Sequence, residues 1–129
     1  MEYNQYTKSY MASIKDMLGR SFNKISVGPD NEDIQFEDDD GIFTMYHEQD
    51  CCEHVRVEDI TGNLVDLVDS PILMAEESVS DQENPSDGHG TWTFYKLATI
   101  KGYVDIRWLG ESNGYYSEGV SIKYEEKAK

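Results

Sequence analysis

The densest group of reactive side chains is Tyr46-His47-Glu48-Gln49-Asp50-Cys51-Cys52-Glu53-His54, in which two histidines, two thiols and three carboxylates fall within nine positions. Every ligand type for zinc is present. Structural zinc sites, however, draw pairs such as Cys-x-x-Cys from two places in a chain, and His89 is the only further histidine. His47, Cys51, Cys52 and His54 are the metal candidates, but their spacing argues against a site, and no cofactor is expected. A Cys–His nucleophile has the right residue types, yet the neighbouring carboxylates disfavour the thiolate that such chemistry requires. Two adjacent cysteines cannot form an ordinary disulfide framework, so both are expected as free thiols, one of them a small core residue.

Carboxylates elsewhere are too numerous for any pair to single itself out as acid and base. Asp38-Asp39-Asp40-Gly41 resembles half of a calcium loop but lacks the alternating oxygen ligands and the closing bidentate glutamate, so it reads as a charged hairpin turn. Neither a phosphate-cradling glycine loop nor a nucleophile elbow occurs. No catalytic residue is expected, and the protein reads as a non-enzyme.

Two stretches mix aromatic and polar residues, Thr91 to Lys96 and Arg107 to Tyr116. If they converge, Trp92, Arg107, Trp108, Asn113, Tyr115 and Tyr116 would make a pocket that stacks a base and holds a phosphate. Strand alternation sends some of these inward as core, and exposed Tyr95, Tyr103 or Tyr115 beside Arg107 would form a contact surface.

The elements that must hold these residues are mostly strands. Met11, Ile14, Met17 and Leu18 recur at helical spacing before Gly19, which predicts a short amphipathic helix over Ser9 to Leu18. Phe22 to Val27, Asp33 to Glu37 and Gly41 to Tyr46 read as three strands of a meander, separated by Gly-Pro-Asp-Asn and Asp-Asp-Asp-Gly turns. Val55 to Ile60 alternates as a half-exposed strand, Leu64 to Val68 suits one helical turn, and Pro71 to Ala75 a further strand. Glu76 to Gly90 is nearly devoid of apolar residues and predicts a long mobile loop. Thr91 to Thr99, Tyr103 to Leu109 and Tyr115 to Tyr124 give the clearest β signal, with Val104, Ile106 and Trp108 alternating against Asp105 and Arg107. The expected fold is α+β, mainly an antiparallel sheet or small open barrel with a short N-terminal helix. A chain of 129 residues allows one globular domain, expected over 18–125.

Net charge is −15, and from Ile25 to Tyr95 there are 19 carboxylates against one basic residue, Arg56. Such a field disfavours direct binding to nucleic acid or to an anionic membrane and favours a basic partner. No apolar run has the length of a membrane span, and the first residues lack the blocks of a signal peptide, so a cytoplasmic location is expected.

The segments Tyr46-His47-Glu48-Gln49-Asp50-Cys51-Cys52-Glu53, Val57-Glu58-Asp59-Ile60, Pro71-Ile72-Leu73-Met74-Ala75-Glu76-Glu77, Thr91-Trp92-Thr93-Phe94-Tyr95-Lys96-Leu97-Ala98-Thr99 and Tyr115-Tyr116-Ser117-Glu118 together resemble an uncharacterised family of small domains found in phages and prophages. The resemblance runs from about Leu18 to Tyr124 and brings a context without a reaction. It implies that residues 1–17, with the short helix, are an N-terminal extension. Together with the acidic field and the lack of a catalytic constellation, that context leads to the expectation of a phage-encoded acidic protein that inhibits a host defence or nucleic-acid-binding protein, by nucleic-acid mimicry on a basic host partner. The expected contacts are Glu37, Asp38, Asp39, Asp40, Asp50 and Glu53, which stand on or beside turns. The alternative is a nucleotide-type ligand binder using the aromatic and arginine pocket above.

Overall fold

The computed structural model of the chain describes residues 6–84, 88–112 and 117–127. Its strands are β1 (Tyr6–Ala12), β2 (Lys24–Val27), β3 (Ile34–Glu37), β4 (Gly41–Tyr46), β5 (His54–Thr61), β6 (Met74–Asn84), β7 (Gly88–Thr99), β8 (Gly102–Ser112) and β9 (Ser121–Lys127). They form two open antiparallel sheets, a five-stranded one in the order β1-β9-β4-β3-β2 and a four-stranded one in the order β5-β8-β7-β6. The architecture is therefore mainly antiparallel β.

Both sheets contribute to one core. The five-stranded sheet supplies Ile34, Phe36, Phe43, Met45, Ile122 and Tyr124, and the four-stranded sheet Val55, Val57, Tyr95, Leu97, Val104, Ile106 and Trp108. Their period of two sends these residues inward while Tyr103 and Arg107 stay exposed. Cross-strand register aligns Phe36 with Phe43 and Phe43 with Tyr124. The Phe43 and Tyr124 rings lie 4.6 Å apart, and Phe22 meets Phe43 edge-on at 5.9 Å. Aromatic pairs at these separations add to what burial alone contributes.

Three expectations are corrected. The N-terminal helix does not form: β1 pairs along β9 from Tyr6 to Ala12, and only Ile14–Met17 closes a 3-10 turn. Of the apparent helical stripe only Ile14 and Met17 are buried, while Met11 is 62% exposed. So short a helix is marginal alone, and ladder pairing satisfies the backbone instead. The sheets are open, so there is no barrel. The predicted mobile loop over Glu76 to Gly90 is largely a hairpin, β6 pairing β7 from Met74↔Ala98 to Asn84↔Gly88. The polarity of Glu76 to Asp81 goes with side chains exposed to solvent, whereas the strand is held by backbone bonds to β7.

Two other strands are displaced: that expected over Pro71 to Ala75 begins only at Met74, and of that expected over Tyr115 to Tyr124 the described residues are strand only from Ser121. Gly41–Tyr46 has the predicted bounds, and Leu64–Leu67 is a 3-10 turn whose Val65 N–H donates to the Asn63 side chain at 3.1 Å. Among the described residues no helix is long and apolar enough to cross a membrane.

Candidate functional site

The loop from His47 to Glu53 carries the chain from the five-stranded to the four-stranded sheet, and Glu53 organises it. Its side chain is inaccessible. It accepts from His47 Nε2 at 2.8 Å and from the backbone N–H groups of Asp50 and Cys51 at 3.0 and 2.8 Å. The Gln49 amide donates to the Glu53 carbonyl at 2.6 Å. The other ring nitrogen of His47, Nδ1, lies 2.8 Å from the Gly119 carbonyl oxygen. Both ring nitrogens thus face acceptors. The His47 hydrogen bond, with the N–H groups of Cys51 and Asp50, outweighs burial and holds the Glu53 carboxyl down to about 2.

A second buried carboxylate, Glu118, lies one residue before Gly119. It accepts from His89 Nδ1 at 2.6 Å, from Thr91 Oγ1 at 2.7 Å and from the Ser112 hydroxyl. Burial alone would raise its pKa, but bonds from Ser112, Thr91 and His89 outweigh that and hold it below the usual carboxylate value. The segment 117–120 therefore ties two His–Glu pairs together at one end of the sheets. Sequence reasoning named His89 only as a spare histidine and Glu118 not at all. A signal existed. Continuing the inward alternation of β7 past Tyr95 gives Thr93, Thr91 and His89, and that of β8 past Trp108 gives Gly110 and Ser112, polar or small residues that had to meet a buried polar group. Both carboxylates are sealed and already bonded, so chemically they brace loops instead of presenting an acid or a base.

Cys51 and Cys52 are exposed and joined as a vicinal disulfide, which corrects the expectation of free thiols and of a core cysteine. The loop turn directs both sulfurs to the same side. His54 is exposed on β5. Among the described residues no group of three His, Cys, Asp or Glu side chains is placed to hold a metal ion.

The six acidic contact candidates do not form one patch. Asp38 is 6% exposed and receives the Arg20 guanidinium at 2.8 and 3.2 Å and the N–H groups of Asp40 and Gly41 at 2.9 Å each. Burial works to raise its pKa, but Arg20 and those N–H groups lower it overall. Glu37 is ion-paired with Lys127 at 2.7 Å. Asp39 and Asp40 are exposed at the start of β4, and Asp50 is exposed beyond its other end, about 20 Å away for a strand of this length. Glu53 is buried.

The aromatic pocket is not assembled as expected either. Trp108 is fully buried between the sheets, and its indole N–H has no partner among the described residues. Tyr95 is also buried, whereas Tyr103 is exposed. Asn113, Tyr115 and Tyr116 lie outside the described residues. Trp92 and Arg107 do meet on the outer face of the four-stranded sheet, the guanidinium 5.1 Å from the indole centre, with Phe94 stacked on Trp92 at 6.3 Å.

A family model described as a domain of unknown function (DUF7448) matches residues 15–122. The matched span excludes β1 and most of β9, the strand with which β1 pairs. No curated protein and no solved structure matches the chain.

Proposed function

The chain belongs to the DUF7448 family of domains of unknown function, and from that membership, which brings no assigned activity, we propose that it is an acidic interaction protein that binds the basic site of another protein. One observation carries this reading. Among the described residues, five cations are engaged in internal ion pairs: Arg20 with Asp38, Arg56 with Glu58 and Glu111, Arg107 with Asp59, Lys123 with Glu125 and Lys127 with Glu37. Asp39, Glu48, Asp50, Glu76 and Glu77 stand exposed without an ion pair. The uncompensated field is negative, and such a field steers a cationic partner and competes with polyanions for it.

The resemblance to phage and prophage domains supplies the setting, inhibition of a host defence or nucleic-acid-binding protein by occupying its basic groove. Charge at both ends of β4 suits a groove with two separated basic clusters. The test is association with an arginine-rich peptide at about 0.05 M and about 0.5 M salt, with duplex DNA as competitor. Binding should weaken at least about tenfold with salt, and the protein should displace the DNA. Association indifferent to salt would refute the reading.

A second reading, a nucleotide-type ligand on the outer sheet face, is favoured by the Arg107–Trp92 stack. A thermal-shift screen against nucleotides separates the two, because a ligand of the folded state raises the melting temperature by mass action.

A further inference from the structure

Strand β6 is the edge of the four-stranded sheet and, among the described residues, is paired only by β7. From Glu76 to Asp81 six consecutive residues are exposed, so this stretch has solvent on both faces as well as along its outer edge. Direct pairing places Glu77, opposite buried Tyr95, on the inward side and Glu76, opposite Lys96, on the outward side. Lys96 is turned over the Tyr103 ring at 5.2 Å and leaves Glu76 without an ion pair. Beside the inward side runs a groove of about 480 Å³ between the two sheets, lined by Met11, Ile14, Val120 and Ile122, with Glu77 at its margin. Val79 projects with 57% exposure.

An open strand edge carries a row of unpaired N–H and C=O groups that templates another strand. A second copy of this chain is a poor occupant, because antiparallel pairing of β6 with its own copy about Val79 sets Glu77 opposite Asp81 and brings the carboxylates of both copies together. The same charges select the opposite sign. We infer that β6 and the adjoining groove receive an extended basic peptide segment of a partner, added as a fifth strand, with apolar side chains on the groove side and cationic ones on the outward side, beside Glu76 and within the negative field of β6. This rests on the proposed acidic-interaction reading and specifies where and in what conformation the basic partner is held.

The probe is a synthetic peptide of about ten residues alternating lysine and valine, long enough for one strand. A matched version is N-methylated at alternate positions along the edge that would face β6. At low salt the unmodified peptide should bind and slow hydrogen exchange at the Ser78–Asp81 amides. The N-methylated version and the Glu76→Lys/Glu77→Lys protein should each weaken binding at least about tenfold. If both peptides bind equally and the β6 amides gain no protection, strand addition is wrong while the acidic-interaction reading stands. If neither peptide binds at low salt, that reading falls and takes this inference with it. Concentration-dependent dimers protecting the same amides without peptide would make the occupant a second copy and overturn the inference.

Discussion

Gly110 of β8 lies directly beneath Glu118: a β-carbon at Gly110 would sit 2.8 Å from the Glu118 Cβ and closer still to its carbonyl oxygen. The close approach brings the Glu118 carboxylate down to Thr91, which pairs with Gly110 across the ladder. No other residue type leaves room for both the ladder and the overlying segment.

Gly110→Ala should therefore destabilise the fold by about 2–3 kcal/mol through forced displacement of the 117–120 segment. Urea denaturation checks this. A midpoint equal to that of the parent would show that the segment yields freely.

Removing the carboxylate itself leaves donors stranded. Glu118→Ala should cost about 2–4 kcal/mol, since Ser112, Thr91 and His89 lose a shared acceptor at a buried position. Thr91→Val and Ser112→Ala should each cost about 1 kcal/mol, measured in the same denaturation series.

Arg20 combines a fork on Asp38, a 2.9 Å bond to the Tyr124 hydroxyl and ring contacts at 4.9 and 5.2 Å to Tyr124 and Phe43. Arg20→Ala uncovers the Asp38 charge and should cost about 3 kcal/mol. Arg20→Lys keeps the charge but loses the planar fork and the stacking, for about 1–2 kcal/mol. Equal stability of the lysine variant and the parent would place the value of Arg20 in its charge alone.

Acid should unfold the protein through its buried carboxylates. Glu53 is held at about 2 instead of its ordinary 4.5, and Asp38 and Glu118 also lie below their ordinary values. The unfolded chain takes up these protons first, so stability rises with pH. The contribution of Glu53 is complete above about pH 4.5 and is lost as pH falls toward about 2. Urea midpoints measured across that interval should decline, and Glu53→Gln should flatten the decline. A parent midpoint independent of pH there would contradict the assignment.

The vicinal pair makes a chemical prediction. Unreduced protein should take up no alkylating reagent at Cys51 or Cys52, and after treatment with a dithiol reductant it should take up one equivalent at each. Intact mass reads both states. Alkylation without reductant would mean free thiols.

Much of the sheet was legible from local pattern. Alternation in Val104, Ile106 and Trp108, and in Ile122 and Tyr124, fixes which face is buried, because successive side chains of a strand point to opposite sides. The turn at Asp38–Gly41 was readable for the same local reason, its residue types.

Tertiary structure decided what local pattern leaves open. Tyr6–Ala12 became a strand because β9 offered a ladder, and the polar run after Ala75 became one because β7 did. Among chemically equivalent carboxylates, burial fell to Asp38, Glu53 and Glu118 because the fold turns donors onto them: Arg20 reaches Asp38, the loop turns His47 and the Asp50 and Cys51 N–H groups onto Glu53, and His89 and Thr91 reach Glu118 from 29 and 27 positions away. A side chain's type gives its charge, but only the folded chain determines which donors surround it, and those donors decide whether that charge braces a loop or faces a partner.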